Sequence, residues 1–308
     1  MTEQLIEYTD RLDKKLKIKF YPKKRLIHFT VSEDLCVYYS QRNYTLNLLS
    51  NISNAIFVQK VKVYLDLTGC PKISAAALVM LFAESTRARI ACKDDTVFTI
   101  KFPKNFRNAA WEEAVGVSYN KYASLFDCDH TFQTVSEPDK AMVSILKLLH
   151  RSGVKLDKQD TRLFTKGVNE AMLNVINHAY SDQAEPLGGI GRRWWQACWK
   201  HKRQEQEILV YIIYDVGCGM LGSLPHEPGE TTIQHMLRVM EYGVSRTQEL
   251  DRGKGTRNME EATDIRDNSL IFIGTNRAVY TKVEGKPAVV HENLLPFVGT
   301  LVEWQIFL

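Results

Sequence analysis

The spacing of apolar residues changes several times along the chain, and each change marks an element. Short runs of branched and aromatic residues at 25–30 (RLIHFT), 62–69 (KVYLDLTG) and 96–103 (TVFTIKFP) predict strands. The segments 44–57 (YTLNLLSNISNAIF), 74–90 (SAAALVMLFAESTRARI) and 108–117 (NAAWEEAVGV) predict helices. Ser74 stands where the second of these helices needs an N-cap. Strands alternating with helices predict one layered sheet with helices packed on it. Residues 118–136 hold no period, which gives a first domain at 1–125, a linker at 126–135 and a second domain at 136–308.

The second domain opens on helices. In SEPDKAMVSILKLLHRSG, Ser136 is the expected N-cap and Pro138 sits in the first turn, while Met142, Ile145, Leu146 and Leu149 form one apolar stripe before Gly153. Asp160 is the expected cap of the next helix, which carries FTKGVNEAMLNVINHAYSD at 164–182. Val168, Met172, Val175, Ile176 and Ala179 share its core face, and Lys166, Glu170, Asn174 and His178 run along a separate edge. RWWQACWKHKRQEQEILVYIIYDVG then reads as two long strands joined by a charged hairpin tip, and GTLVEWQIFL as a last strand. The fold class expected is α/β, with the second domain an α/β sandwich on an antiparallel or mixed sheet.

Bulk properties narrow the function. The chain has 308 residues, 44% hydrophobic and 25% charged, as ordinary globular proteins do, and its length suits two domains. A net charge of +4 is too small to argue for nucleic-acid binding by itself. Two basic stretches, KKLKIKFYPKKR (14–25) and GRRWWQACWKHKR (191–203), can contact a partner or a nucleic acid. Core packing accounts for Trp195, Ala197 and Trp199 on one strand face, which leaves the hairpin tip as the interaction surface. No apolar run is long enough to span a bilayer, and MTEQLIEYTDRLDKK lacks the basic start and apolar core of a secretory signal. Six scattered cysteines with no C-x-x-C pair fit a reducing cytoplasm and offer no zinc site.

Three further stretches carry chemistry. Asp215, in YIIYDVGCGM, ends an apolar run and so belongs at a buried strand end, where Gly217 and Gly219 permit a sharp turn and close approach of a flat ligand. Its carboxylate is an acceptor, matched to the donor amino group of adenine. In GVSRTQELDRGKGTRNMEEATD (243–264), Arg252, Gly253, Lys254 and Gly255 precede a helix beginning near Thr256. A glycine-rich turn feeding a helix start offers N–H groups and a positive dipole end to phosphate. Singly, D-x-G-x-G reads by default as a strand-to-turn junction, and R-G-K-G more often as a solvated loop.

The order of these motifs is more specific than any one of them. E-x-x-x-N-x-x-x-H on a helix, a strand-end D-x-G-x-G, a glycine-rich loop before a helix and GTLVEW at a strand start resemble the nucleotide-binding domain of the GHKL ATPases, the superfamily of gyrase, histidine kinases and mismatch-repair ATPases. The resemblance covers about 136–308 and implies the Bergerat sandwich, with ATP and Mg²⁺ as ligands. It implies Asn174 as the Mg²⁺ ligand and Glu170 as general base. Asp215 is implied as acceptor for adenine N6, above Gly217 and Gly219, with Thr300 reaching adenine through water. Gly253, Lys254, Gly255 and Thr256 are implied on the phosphate side. His178 matches a frequent family position and reads equally as packing at the helix end. Mg²⁺ prefers oxygen ligands, and a neutral amide beside phosphates suits it. Glu170, one turn from Asn174, is placed to orient a water or a hydroxyl.

In the first domain KVYLDLTGCPKISAAALVML resembles the strand-turn-helix of STAS domains over about residues 15–120, although the residues alone equally describe a generic α/β domain. Phosphorylatable STAS members open the helix with Asp-Ser-Ser-Gly, whereas this chain has Ser74, Ala75, Ala76 and Ala77, with Ala75 at the acceptor position. The chain has no histidine-bearing H-E-x-x-x-P helix, so anti-sigma-factor serine kinases are the nearer likeness. A cytoplasmic bacterial regulator is implied, with a protein partner met through the STAS-like domain, no membrane contact and a homodimer compatible. Three activities stay open: an ATP-hydrolysing switch, a serine/threonine protein kinase and a non-catalytic nucleotide sensor. Glu170 argues against the sensor, and Ala75 favours the switch.

Overall fold

Ile18, Ile27, Phe29, Val63, Leu65 and Phe98 come from four neighbouring strands, are buried, and fall on one face by their pairing. That apolar face is what the first helices cover. The computed structural model describes residues 5–104, 107–125, 130–180, 190–203, 205–241 and 255–308. The chain is mixed α/β, with two five-stranded sheets and, among the described residues, seven α-helices. Residues through Ser124 form one compact unit, and those from Leu125 form the body of a second. Among the described residues no helix is long and apolar enough to cross a membrane.

The first unit runs β1 (Ile6–Thr9), β2 (Lys17–Tyr21), β3 (Leu26–Thr30), α1 (Arg42–Ser53), β4 (Lys62–Asp66), α2 (Ala75–Cys92), β5 (Phe98–Lys101) and α3 (Ala109–Gly116). Its strands lie in chain order: the first three antiparallel, then β3, β4 and β5 parallel. The parallel pairs need crossovers, which α1 and α2 supply. Ser74 caps α2, its Oγ accepting from the Ala77 N–H at 3.4 Å. Helix α2 is buried on nearly all sides from Ala76 to Ala88. Within it Arg87 and Glu84 pair at 2.7 Å, and the guanidinium lies 4.6 Å from the Phe57 ring centroid. The basic stretch at 14–25 contains β2, so its alternate apolar residues Leu16 and Ile18 are core.

The second unit runs β6 (Phe132–Val135), α4 (Pro138–Arg151), α5 (Lys158–Asn174), β7 (Trp194–Arg203), β8 (Gln206–Tyr214), α6 (Thr232–Met240), α7 (Gly255–Glu261), β9 (Leu270–Val283) and β10 (Val289–Phe307). Its sheet is antiparallel throughout, in the order β6-β7-β8-β10-β9. The expected linker at 126–135 is therefore cut back at its end, and its residues 126–129 lie outside the described residues. Residues 132–135 form a buried edge strand whose Gln133 accepts from Gln196 at 3.0 Å and donates to Ser144 at 2.6 Å. Their polar letters hide the strand because the sheet satisfies them internally.

Three local expectations also change. Glu137, not Ser136, holds the N-cap position of α4, with Pro138 as the first helical residue. Asp157, not Asp160, caps α5, accepting from the Asp160 N–H at 2.8 Å. Asp160 is instead buried in the first turn and paired with Arg266 at 2.6 Å. On α4 the buried stripe is Ala141, Ser144, Ile145, Leu148 and Leu149, while Leu146 is exposed.

An aromatic row fixes α5 and α7 to this sheet. Phe164 of α5 meets Tyr211 of β8 edge-on at 5.9 Å, Tyr211 stacks on Trp304 of β10 at 5.7 Å, and Trp304 Nε1 donates to the Met259 carbonyl of α7 at 2.8 Å. Removing that donor while keeping a large ring deletes a buried hydrogen bond. Trp304→Phe is expected to lose about 1–3 kcal/mol of stability in urea denaturation. No loss would mean that α7 is not held through this bond.

Candidate functional site

Helix α5 carries the ladder, and α7 lies along it. Lys166 Nζ is 3.1 Å from Glu261 Oε2, Glu170 Oε1 accepts from Asn258 Nδ2 at 2.9 Å, and Asn174 Nδ2 meets Met259 Sδ at 3.5 Å. A Cβ on Gly255 would stand 2.7 Å from Glu170 Oε2, so the start of α7 lies close against that carboxylate. Lys166, Glu170 and Asn174 thus share α7 as a neighbour. Beyond Asn174 the helix widens into a π turn, Val175–Ala179, of the kind that recurs at functional sites. His178 lies in that turn, where its backbone carbonyl accepts from Cys218 Sγ at 3.3 Å.

The strand-end loop docks on this same turn. Strand β8 finishes at Tyr214, and the Cys218 N–H donates to the Ala179 carbonyl at 2.8 Å. A Cβ on Gly217 would fall 2.2 Å from that carbonyl oxygen. Gly219 holds φ +80, and a Cβ there would fall 2.2 Å from the Asn276 amide. The two glycines are required by contacts within the chain, which is a different reason from the ligand approach expected for them. Asn276 of β9 completes the clamp, donating to the Cys218 carbonyl at 2.9 Å and accepting from the Leu221 N–H at 3.2 Å. Its neighbour Thr275 accepts from the Met220 N–H at 2.8 Å and shares a hydroxyl contact of 3.2 Å with Thr300.

Asp215 lies inside this frame, 3% exposed. Its N–H donates to the Thr300 carbonyl at 3.0 Å, and its Oδ1 accepts from the Gly217 N–H at 2.7 Å. Burial pushes its carboxyl up to about 7, against the opposing pull of hydrogen bonds with the Gly217 and Thr300 backbones.

The expected residues therefore form two groups along one helix, α5, some on it and some packed against it. Asp215, Gly217, Gly219 and Thr300 gather at the π turn, while Glu170, Asn174 and Gly255 gather where α7 begins. From Glu170 to Ala179 is roughly 13 Å along the axis at the ordinary helical rise. Thr256 points elsewhere, its hydroxyl donating to the Met240 carbonyl at 3.4 Å. Arg252, Gly253 and Lys254 lie outside the described residues. A separate cleft of about 550 Å³, lined by Gln159, Leu163, Met240, Arg257, Glu260 and Lys282, contains none of the expected residues.

Asn258, Thr275, Asn276 and Tyr180 were not expected at the site. Tyr180 accepts the Val216 N–H at 3.4 Å and donates to the Arg193 carbonyl. The one available signal was the polar pair Thr275–Asn276 inside the apolar run IFIGTNRAVY, which a plain core strand would not carry. No family model, curated protein or solved structure matches the chain.

The raised Asp215 carboxyl makes stability depend on pH. The unfolded chain loses this proton near 3.8, whereas the folded chain holds it to about 7. Between those values the native state carries the extra proton, so stability falls as pH rises, by up to roughly 4 kcal/mol. Asp215→Asn is expected to flatten the pH 4–7 portion assigned to this group, and to be more stable than the parent at pH 8 in urea denaturation. An unchanged slope would place the cause elsewhere.

Proposed function

We propose that the second unit binds Mg²⁺-ATP in the manner of the GHKL ATPases and hydrolyses it as a conformational switch. The observation that carries this reading is Asp215, a buried carboxylate at a strand end, held by the backbone and adjoined by Thr300. Such a group discriminates by hydrogen bonding. It accepts from the amino group of adenine and opposes the carbonyl of guanine, a mismatch of roughly 1–3 kcal/mol.

The opposite end of the site fits the phosphates. Asn174 Nδ2 is turned to a sulfur, which leaves its amide oxygen as the hard donor a magnesium ion takes. Mg²⁺ bound there neutralises phosphate charge. Glu170 has one oxygen tied to Asn258 and the other beside Gly255. The first bond orients the carboxylate, and the second oxygen remains to accept a proton from an attacking water. Because Glu170 and Asn174 both touch α7, a change at the phosphate end is felt by α7 directly. That coupling supports a switch, and a regulatory protein met through the first unit is its expected reader.

Incubation with γ-labelled ATP and Mg²⁺ tests the reading. The parent chain is expected to release labelled phosphate. Glu170→Ala should retain nucleotide and lose at least about 100-fold in turnover, while Asp215→Asn should lose nucleotide binding. Label transferred to a protein would replace the switch with a kinase, and full turnover by Glu170→Ala would remove its role as base.

A further inference from the structure

The segment entering α6 gathers a second set of chemically active side chains, apart from the nucleotide site. Thr231 and Gln234 form a capping box that starts the helix, with the Gln234 N–H bonded to Thr231 Oγ1 at 3.2 Å and the Thr231 N–H to Gln234 Oε1 at 2.8 Å. That start brings His235 of α6 beside His226 and Glu230 of the preceding connection. One ring nitrogen from each histidine and one carboxylate oxygen from Glu230 lie within 4.8 Å of one another. The two imidazoles meet edge-to-face at 5.1 Å.

We propose that His226, Glu230 and His235 form a binding site for a divalent transition-metal ion of the zinc class. Two imidazoles and a carboxylate are a ligand set that zinc takes in proteins. Nitrogen donors favour zinc, cobalt or nickel over magnesium and calcium, so this site is chemically distinct from the one at Asn174. His235 is buried, with its Nε2 3.1 Å from the Leu224 carbonyl. A neutral imidazole donating there keeps its lone pair on Nδ1, and an outer bond of this kind is what commonly fixes a metal-binding histidine.

Spacing and charge set how tightly the ion is held. Zinc bonds of about 2.0–2.1 Å draw tetrahedral ligands to about 3.4 Å of one another, inside the 4.8 Å within which these atoms lie. His226 is exposed on the connection, so its side chain can adjust toward the other two. Glu230 already takes Arg238 Nε on Oε1 at 2.7 Å, and on Oε2 both Arg238 Nη2 at 2.8 Å and the Glu227 N–H at 3.0 Å. A carboxylate offers about four lone-pair positions, so one remains, on Oε1. The Arg238 charge weakens the site, and Glu227, 3.6 Å from Arg238 Nε, offsets part of it. The ion is therefore held less tightly than in a closed structural site. An ion held there fastens the connection 224–230 to α6. In sequence the signal is H-x-x-x-E-x-x-x-x-H, which a search for cysteine pairs passes over.

Tag-free, chelator-treated full-length protein is titrated with Co²⁺, followed by its visible absorbance, and with Zn²⁺ by calorimetry. One equivalent is expected to bind, with no thiolate charge-transfer band and no displacement by excess Mg²⁺. His226→Ala, a change at the surface, should weaken binding about tenfold or more with an unaltered circular dichroism spectrum. His201→Ala on the distant hairpin should leave it unchanged. Equal binding by His226→Ala, a thiolate band, or no saturable heat at millimolar Zn²⁺ overturns the proposal.

Discussion

The second unit turns on one close contact, the approach of Gly217 to the carbonyl of Ala179. No side chain fits between them, so the loop leaving β8 sits directly on the end of α5. Asn276 and Thr275 hold the loop from the β9 side, and Thr300 holds its first residue from β10. With the loop clamped on three sides, the carboxylate of Asp215 has nowhere to go but inward. Its burial, not a neighbouring charge, is what lifts its proton affinity. A carboxylate kept there costs stability above neutrality, and a chain under selection for stability alone would replace it with an amide.

Helix α5 carries the other half of the arrangement. Its ladder faces a neighbouring helix, and each of the first three rungs has a partner on α7: a salt bridge, a carboxylate–amide bond and an amide–sulfur contact. Helix α7 is in turn tied to the sheet by Trp304. The phosphate-end groups proposed for a nucleotide are therefore displayed on α5, and the loop that carries the purine-end carboxylate docks on the end of the same helix.

Much of this was legible in the sequence where period and packing agree. The strands and helices of 25–117 and the long hairpin of 194–214 announce themselves because each buries a regular set of apolar residues. Strand β6 did not, because Gln133 and Thr134 are satisfied inside the sheet and look solvated on paper. Nor did β2, whose lysines disguise a two-residue alternation, or β1, which is exposed along its length. Asp215 could be singled out because a charged letter after seven apolar or aromatic ones has few ordinary explanations. Asn258 could not, since its partner Glu170 is distant in sequence and known only once the chain has folded, whereas Asn276 showed only as a polar letter in an apolar run. The glycines of the loop stand out in the sequence, but the contacts that demand them lie within the chain.

Calorimetric titration with Mg²⁺-ATP at pH 7, repeated in two buffers of different ionisation enthalpy, tests the central claim most directly. A carboxyl poised at about 7 that must ionise to accept an amino group releases up to roughly half a proton per site on binding. A saturable heat that shifts between buffers by that amount is the result expected, with GTP giving a weaker one. The absence of any saturable heat at millimolar nucleotide, or binding without proton release, would contradict a purine seated on Asp215.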